Sequence, residues 1–199
     1  MASSGPPLPK QPIGTAFGPR DAPIQMEVFL DYCCPFSKKA FFVLMDHVLP
    51  AMEGKICFYF QHQVQPWHPQ STLLHEAALA VKQVDPNKFF PYSRVLFENL
   101  DNFVDQKVYQ KSRKELYEQL ATLAKQVGID SERVLKKLEI SDTKEGNDVI
   151  ADLKLCIRYA RQLDIHVSPT FIINRMKDPV ASSSWSVEEW KQRLAPLLS

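Results

Sequence analysis

The chain has 199 residues, of which 45% are hydrophobic and 24% charged, and its formal net charge is +1. These values are typical of a globular protein with one core or two small ones, and the near-neutral charge gives no electrostatic reason to expect binding to nucleic acid or to an anionic membrane. No apolar run approaches the ~20 residues that a membrane-spanning helix needs. Four cysteines are too few for a disulfide scaffold, so we expect a reducing compartment, most simply the cytoplasm.

The N-terminal segment differs in composition from the rest of the chain. Residues 1–20 are rich in Pro, Gly and Ser and lack the apolar stretch of a secretory signal. We expect them to form a flexible tail, because such a composition cannot bury enough apolar surface to fold. The length of the remaining chain then fits a single domain over residues 21–199.

The next stretch predicts a strand that runs directly into a helix, with a thiol at the junction. Met26–Asp31 is a short apolar run typical of a buried strand, and Phe36–Leu49 is apolar enough for a core-facing helix. Pro35 stands at the first helical position, where its missing N–H leaves no partner unsatisfied. Cys34 therefore lies at the helix N-terminus, whose free N–H groups and positive dipole end stabilise a negatively charged sulfur. The sequence predicts a reactive cysteine here.

The middle of the chain predicts one more strand and then a long helical region. Ile56–His62 is the second apolar run, and Cys57 within it is most simply a buried residue. From about residue 68 to 148, leucine, alanine and valine recur at helical spacing. Asp130 has the position of an N-cap in this region. Cys156 falls on the apolar face of a later helix, so we expect it to be buried as well.

The last part of the chain returns to a strand and ends in a helix. Pro169–Asn174 is the third apolar run, and Ser186–Glu189 has the spacing of a capping box. The element order is explained best by an open α/β sheet with a helical insertion. Pro169 favours a cis peptide bond, because an ordinary proline disrupts a central strand. No pair of histidines has zinc-motif spacing with the cysteines, so we expect no metal site.

Three segments, in the same order along the chain, resemble DsbA-type proteins of the thioredoxin fold. The first is Gly18–Ser37, which contains the Asp-Ala-Pro approach, the strand and the motif Cys-Pro-Phe-Ser. The second is Leu163–Asn174, which is similar to the loop that carries a cis-proline in that family. The third and weaker one is Trp67–Pro69 with the Ala-rich helix after it.

The resemblance implies a fold and a binding site. It implies a thioredoxin-like α/β fold, in which a central mixed sheet with flanking helices carries an all-helical, DsbA-like insertion at about residues 68–148. It also implies that the loop of Ser168 and Pro169 faces Cys34. The backbone of Ser168 would then pair with an extended peptide or with glutathione, in the way that a sheet edge pairs with an added strand.

The chain departs from the family at the second active-site cysteine, which is replaced by Ser37. A serine hydroxyl cannot resolve a mixed disulfide, so the motif implies a monothiol oxidoreductase. In it Cys34 attacks the disulfide of a disulfide-containing or glutathionylated protein. A small thiol substrate is a further possible partner, and glutathione acts as co-substrate, with no bound cofactor. We expect Ser37 to donate its hydroxyl and N–H to the Cys34 sulfur, and Pro35 and Phe36 to line the binding groove.

Two other interpretations stay open. Kappa-class glutathione transferases share the inserted thioredoxin fold and resemble this chain in having Pro-aromatic-Ser at the helix start. The resemblance to them implies that Ser37 activates bound glutathione and that Cys34 is incidental. The third interpretation is a non-catalytic binding or chaperone-type module. We expect Cys33 to be a buried strand-end residue, His68 to cap or pack at the start of the insertion, and His166 to be a surface or structural histidine.

Overall fold

The sheet is built from the three predicted strands and two shorter ones. The computed structural model describes residues 8–140 and 145–198. Its strands are β1 (Thr15–Phe17), β2 (Ile24–Leu30), β3 (Ile56–His62), β4 (Thr170–Ile173) and β5 (Met176–Lys177). Their order across the sheet is β1-β3-β2-β4-β5. Strands β2 and β3 are parallel, and the other neighbouring pairs are antiparallel.

Strand β2 is the central strand, and its register decides which loops meet. Phe29 lies opposite Thr170 in β4, and Leu30 lies opposite His62 in β3. Because β4 runs antiparallel to β2, the end of β2 and the start of β4 lie at the same edge of the sheet. The segment after β2 carries Cys34, and the residue before β4 is Pro169. The sheet therefore brings these two distant parts of the chain together.

The helices lie on the two faces of the sheet and in a block between β3 and β4. They are α1 (Pro35–Val43), α2 (Leu49–Ala51), α3 (Ser71–Val84), α4 (Phe89–Glu98), α5 (Asp105–Val108), α6 (Arg113–Leu123), α7 (Ser131–Leu138), α8 (Ile150–Gln162) and α9 (Val187–Leu194). Helices α3 to α7 fall within the region predicted to be a helical insertion, of which residues 141–144 lie outside the described residues. The Asp130 N-cap of α7 and the capping box at Ser186 are confirmed. None of the helices in the described ranges is long and apolar enough to cross a membrane.

The predicted helix Phe36–Leu49 differs from the observed one in its winding. Helix α1 ends at Val43, a π-helical turn covers Leu44–Val48, and α2 then continues through Pro50. Proline has no N–H, and its ring clashes with the carbonyl group four residues earlier. The wider turn directly before α2 accommodates the proline without ending the helix, which the sequence pattern did not predict.

Strand β1 corrects the predicted tail. Residues 1–7 lie outside the described part of the chain, but Thr15–Phe17 pairs with β3, so the prediction of a flexible tail through residue 20 is wrong at its C-terminal end. Gly18 follows β1 with φ +94°, and a Cβ atom on it would lie 2.6 Å from the carbonyl oxygen of Ile56. Only glycine allows this approach of two backbones. Strand β1 forms because its backbone pairs with β3, and its sequence has no apolar pattern that predicts a strand.

An aromatic core lies between the sheet and the insertion and reaches to the turn that carries Cys34. The rings of Tyr32 and Phe60 stack with centroids 5.2 Å apart, and Tyr32 also contacts Phe97 at 5.0 Å. The Tyr32 hydroxyl forms a 2.7 Å hydrogen bond with the hydroxyl of Ser93 in α4. Burial of this ring between a strand and an insertion helix fixes the backbone two residues before Cys34.

Candidate functional site

Cys34 occupies the junction that the sequence predicts. It is the N-cap of α1, with φ −94° and ψ 119°, and Pro35 is the first helical residue. Its carbonyl accepts the first helical hydrogen bond, from the N–H of Lys38 at 3.0 Å. Cys34 is 6% exposed. Cys34 therefore lies at the positive end of the helix dipole and is almost completely buried.

The loop before β4 meets Cys34 directly. The Ser168–Pro169 peptide bond is cis, and the Cys34 thiol donates to the carbonyl oxygen of Ser168 across 3.4 Å. The hydroxyl of Thr170 donates to the carbonyl of Val167 at 2.7 Å, which closes the loop on itself. The structure thus brings together Cys34, Ser168 and Pro169, three of the residues singled out from the sequence.

Ser37 lies one helical turn after Cys34 but serves another partner. It is fully buried, and its hydroxyl accepts a hydrogen bond from the Asp31 N–H at 3.2 Å. The hydrogen bonds of the described residues include none between Ser37 and the protonated Cys34 sulfur, so the expected donation from Ser37 to the Cys34 thiolate stays a prediction. The N–H of Asp31 lies just beyond the end of β2 and needs a partner inside the protein, which the Ser37 hydroxyl provides.

The fold is shared with known proteins. A family model with the description thioredoxin matches residues 10–194. The chain belongs to the thioredoxin family. No similar sequence was found among curated proteins.

Solved structures with the same fold include three bacterial proteins. A protein of Pseudomonas syringae described as a candidate protein-disulfide isomerase is 24% identical, with a TM-score of 0.76 over 91% of this chain and 97% of that one. Oxidised BdbD of Bacillus subtilis is 22% identical, with a TM-score of 0.74 over 93% and 92%. The thiol-disulfide exchange protein α-DsbA2 of Wolbachia pipientis is 17% identical, with a TM-score of 0.67 over 92% and 87%. The predicted fold class, a DsbA-like thioredoxin fold, is confirmed.

In this thioredoxin-family chain all four cysteines are buried, and Cys34, at 6% exposed, is no more open to solvent than Cys33 at 8% or Cys156 at 7%. All four cysteines are free. Burial, reinforced by the charge of Asp31, raises the pKa of the Cys33 thiol far above its ordinary value, and burial raises the pKa of Cys156 to about 12. Cys57 is fully buried. The predicted burial of these three residues is confirmed, and Cys33 stays protonated beside its neighbour.

Large apolar side chains are exposed on each segment that forms the site. Phe36 is 63% exposed on α1, Val167 is 58% exposed beside Ser168, and Trp67 is 58% exposed on the loop after β3. Pro35 is exposed as well. Of these residues, the sequence analysis proposed Pro35 and Phe36 as groove residues and missed Trp67 and Val167. Nothing in the sequence around the latter two distinguishes an exposed apolar residue from a buried one.

Asp31 is a buried hub that the sequence analysis did not recognise. Its side chain is fully buried, and each carboxylate oxygen accepts two hydrogen bonds. One oxygen accepts from the Cys33 N–H at 2.7 Å and from the Ser71 hydroxyl at 2.9 Å. The other accepts from the Gln65 N–H at 2.8 Å and from Nδ1 of His68 at 3.2 Å. An acidic residue at the end of a predicted buried strand, shortly before a cysteine pair, is the sequence signal from which this role of Asp31 could have been predicted.

Gln65 extends this hub to the loop before β4. With its amide oxygen turned toward Ser168, it accepts from the Ser168 N–H at 2.8 Å and from the Ser168 hydroxyl at 3.2 Å. Its NH₂ group then donates to the carbonyl oxygen of His166 at 3.3 Å. This amide orientation is assigned because it pairs both groups. Three segments around Cys34 are therefore joined by one buried hydrogen-bond network.

The histidines take separate roles. His62 and His75 are fully buried, and their Nδ1 atoms lie 2.7 Å apart. His166 is exposed and pairs with Asp164 at 2.7 Å on the surface, as the surface interpretation predicts. His68 packs at the start of the insertion, where it contacts Asp31. Within residues 8–140 and 145–198, no group of three or more His, Cys, Asp and Glu residues has the geometry of a metal site.

Proposed function

We propose that this protein is a monothiol thiol-disulfide oxidoreductase, with Cys34 as the nucleophile and glutathione as the co-substrate. The observation that carries the proposal is the position of Cys34. Its sulfur lies at the N-terminus of α1 and 3.4 Å from the Ser168 carbonyl, while a buried serine takes the place of a second thiol. A helix N-terminus favours the thiolate, which is the attacking form.

The proposed cycle has two exchange steps. In the first, the Cys34 thiolate attacks a protein–glutathione disulfide; a Cys34–glutathione disulfide forms, and the protein thiolate leaves and takes a proton. In the second, the thiolate of another glutathione attacks that disulfide, which releases oxidised glutathione and restores the Cys34 thiolate. Two glutathione units thus leave as one disulfide, and the electrons that reduce the substrate come from the second glutathione. The cycle requires no bound cofactor.

The loop of Ser168 and Pro169 is the proposed binding edge. In the resting site both backbone groups of Ser168 have internal partners, since its N–H faces Gln65 and its carbonyl accepts from the Cys34 thiol. A thiolate has no proton to donate. Ionisation of Cys34 therefore frees the Ser168 carbonyl to accept from the backbone of an extended peptide or of glutathione.

The exposed apolar side chains suggest what the protein substrate looks like. Phe36, Trp67 and Val167 belong to the three segments that surround Cys34. Contact with them removes apolar surface from water, which contributes roughly 25 cal/mol per Å² buried. We propose that the disulfide-containing or glutathionylated substrates carry apolar residues next to the reacting sulfur, with Pro35 and Pro169 as rigid edges of the groove.

The geometry favours Cys34 over Ser37 as the reacting residue. In the alternative of a kappa-class-like glutathione transferase, Ser37 must reach the sulfur of a bound glutathione. Ser37 is fully buried, and its hydroxyl faces the Asp31 N–H. We also propose a cytoplasmic location, because the proposed cycle consumes reduced glutathione, and a compartment that supplies it keeps thiols reduced.

The experiment is the intact mass of the protein after incubation with oxidised glutathione. We expect one glutathione adduct on the wild type, none on Cys34→Ser, and one on the matched control Cys156→Ser. An adduct that persists in Cys34→Ser would reject Cys34 as the nucleophile. A wild-type protein without any adduct would favour the third interpretation, a non-catalytic binding module.

A further inference from the structure

We propose that Gln65 is a positioning residue that determines how the backbone of a substrate is recognised beside Cys34. Its side chain holds the N–H of Ser168, so an extended substrate forms one backbone hydrogen bond at this loop, from its own N–H to the Ser168 carbonyl. The inference rests on the proposed function, in that Cys34 is the nucleophile. It adds what the substrate must supply, namely a free N–H next to the reacting sulfur.

The first step in the argument is the anchoring of Gln65 itself. It lies on the loop after β3 and is 1% exposed. Its N–H donates to the carboxylate of Asp31 at 2.8 Å, and its carbonyl accepts from the N–H of His68 at 3.0 Å. Both backbone groups are therefore occupied, and the side chain starts from a fixed position. A buried carboxamide in such a position needs partners inside the protein.

The second step is the identity of these partners, which are backbone groups of the loop before β4. The carboxamide oxygen accepts from the Ser168 N–H at 2.8 Å and from the Ser168 hydroxyl at 3.2 Å. The NH₂ group donates to the His166 carbonyl at 3.3 Å. A carboxamide carries a donor and an acceptor side by side, as a backbone strand does. Gln65 thus takes the place that the backbone of an added strand would have along residues 166–168.

The third step is the direction of the four carbonyl groups of residues 165–168. The first three accept, in chain order, from the side chains of Gln63 at 3.4 Å, Gln65 at 3.3 Å and Thr170 at 2.7 Å. The fourth, that of Ser168, faces the Cys34 sulfur at 3.4 Å. The loop is therefore held by its first three carbonyls and presents the fourth, an acceptor, to the place where a substrate sulfur must approach.

The consequence concerns the second hydrogen bond that strand pairing ordinarily makes. In an antiparallel pair, two residues can exchange two bonds, one from each N–H to the opposite carbonyl. At Ser168 the bond to the substrate carbonyl requires the Ser168 N–H to leave Gln65, which breaks the shorter hydrogen bond of a buried carboxamide oxygen. The substrate carbonyl therefore stays with water. Backbone recognition at Ser168 depends on a donor in the substrate and not on an acceptor.

The test uses three small symmetric disulfides of N-acetylcysteine: the methylamide, its analogue with a methyl group on the cysteine nitrogen, and the methyl ester. The second lacks the N–H, and the third has a weaker carbonyl acceptor. In each reaction the Cys34 thiolate attacks one sulfur, a mixed disulfide forms on Cys34, and a cysteine thiolate leaves and takes a proton. Intact mass of the full chain gives the rate. Division by the rate of the same disulfide with free glutathione removes differences in intrinsic reactivity.

For the wild type, we expect N-methylation to lower the normalised rate roughly fivefold, the effect of one net hydrogen bond, and the ester to keep it within about twofold. Gln65→Met has a side chain of similar size that cannot hold the Ser168 N–H. In this variant the ester should react roughly fivefold more slowly than the methylamide. Gln63→Met is the matched control: it removes the neighbouring side-chain contact with the loop, leaves Ser168 paired, and should keep the wild-type pattern. Each comparison is a ratio within one variant, so a general loss of stability does not produce it.

Three results would overturn the inference. The first is a wild type that is indifferent to N-methylation or that discriminates against the ester as strongly. The second is a Gln65→Met variant that stays indifferent to the ester, and the third is a Gln63→Met variant that changes in the same way as Gln65→Met. If Gln65→Met does not fold, the wild-type comparison still decides. The predicted pattern with an adduct that reduced glutathione cannot discharge would reject only the monothiol cycle, whereas a Cys34 that reacts with none of the disulfides would reject both proposals.

Discussion

The sulfur of Cys34 and the carbonyl oxygen of Ser168 lie 3.4 Å apart, although 134 residues separate them in the chain. The register of β2 against β4 produces this contact, because it aligns the end of one strand with the start of the other. The proposed nucleophile and the proposed substrate-binding edge are therefore both positioned by the centre of the sheet. The consequences of this arrangement are testable at single residues.

A second sulfur at Ser37 should change the product of oxidation. Cys34 and Ser37 are one helical turn apart, a separation that a disulfide spans. After treatment with oxidised glutathione, we expect Ser37→Cys to form an internal disulfide and to lose the glutathione adduct, since the new thiol resolves it. Intact mass measures this, and Ser37→Ala should keep the adduct. A glutathione adduct that stays on Cys34 in Ser37→Cys would contradict the idea that Ser37 occupies the position of the second, resolving cysteine.

Ser37 should also matter for stability. Its hydroxyl is the acceptor for the buried Asp31 N–H. Ser37→Ala leaves this N–H without a partner, and we expect the free energy of unfolding to fall by about 1–3 kcal/mol. Urea denaturation of the reduced protein measures the change, with Ser183→Ala as a control that should change it by less than about 0.5 kcal/mol, because the Ser183 hydroxyl has no hydrogen bond among the described residues. Equal stabilities of Ser37→Ala and the wild type would show that this hydrogen bond does not contribute.

The pair of His62 and His75 predicts a loss of stability in acid. Burial lowers the pKa of His75 from 6.5 to about 4, so between these values the unfolded state binds a proton that the folded state does not. The stability is complete above pH ~6.5 and falls as the pH decreases toward 4, by about 3 kcal/mol for this group. His62 shifts in the same direction.

Urea denaturation at several pH values tests this prediction. The paired variant His62→Leu/His75→Leu removes both rings from an apolar, aromatic surrounding, and its stability should depend less on pH over that window. His166→Gln, which changes an exposed histidine, should keep the wild-type slope. The same slope in the paired variant and the wild type would assign the acid lability to other groups, such as carboxylates.

An ion pair in the insertion with a buried carboxylate and a half-exposed arginine should contribute more to stability than a fully exposed pair. Glu76 is fully buried; it accepts from Arg113 at 3.1 Å and forms a short hydrogen bond with the Tyr117 hydroxyl. Arg113→Met leaves the buried carboxylate without its cation, and we expect a loss of about 1–3 kcal/mol, between the values for exposed and buried pairs because Arg113 is 46% exposed. Lys154→Met breaks an exposed pair with Glu145 and should cost less than about 1 kcal/mol. Urea denaturation compares them, and equal losses would contradict the importance of burial.

Trp67 should affect substrate recognition without affecting the thiol. Its ring is 58% exposed on the loop after β3. We expect Trp67→Ala to lower kcat/KM several-fold for a glutathionylated peptide with apolar residues beside the cysteine, because that contact buries apolar surface. The rate of adduct formation with oxidised glutathione should stay unchanged. If Trp67→Ala and the wild type have the same ratio of kcat/KM between apolar and polar peptides, Trp67 does not belong to the binding surface.

Local features of this chain were predictable, and features that depend on distant partners were not. Pro35, the N-cap at Cys34 and the capping box at Ser186 follow from neighbouring residues, and the sequence predicted them. Strand β1 was missed because only the edge of β3 makes Thr15–Phe17 a strand. The hydrogen bond that Ser37 accepts from Asp31 was missed because it depends on a free N–H at the end of another element.

The hub at Asp31 was missed for the same reason. Its four donors come from two separate stretches of the chain, Cys33 after β2 and residues 65–71 after β3, and no sequence pattern connects the two. The resemblance of the motif around Cys34 singled out this residue as the candidate nucleophile, but it gave no information about His68, which lies 37 residues from Asp31 in the chain. Predictions from sequence are therefore strongest where the partners are neighbours in the chain.

The most direct test of the central claim is the discharge of the Cys34 adduct. The wild-type protein is first loaded with one glutathione, freed of excess reagent, and then mixed with reduced glutathione while the intact mass is followed. We predict that the adduct disappears and that one molecule of oxidised glutathione forms per protein, at a rate that increases with the concentration of reduced glutathione. An adduct that remains on Cys34 while free glutathione disulfides exchange normally would contradict a monothiol cycle.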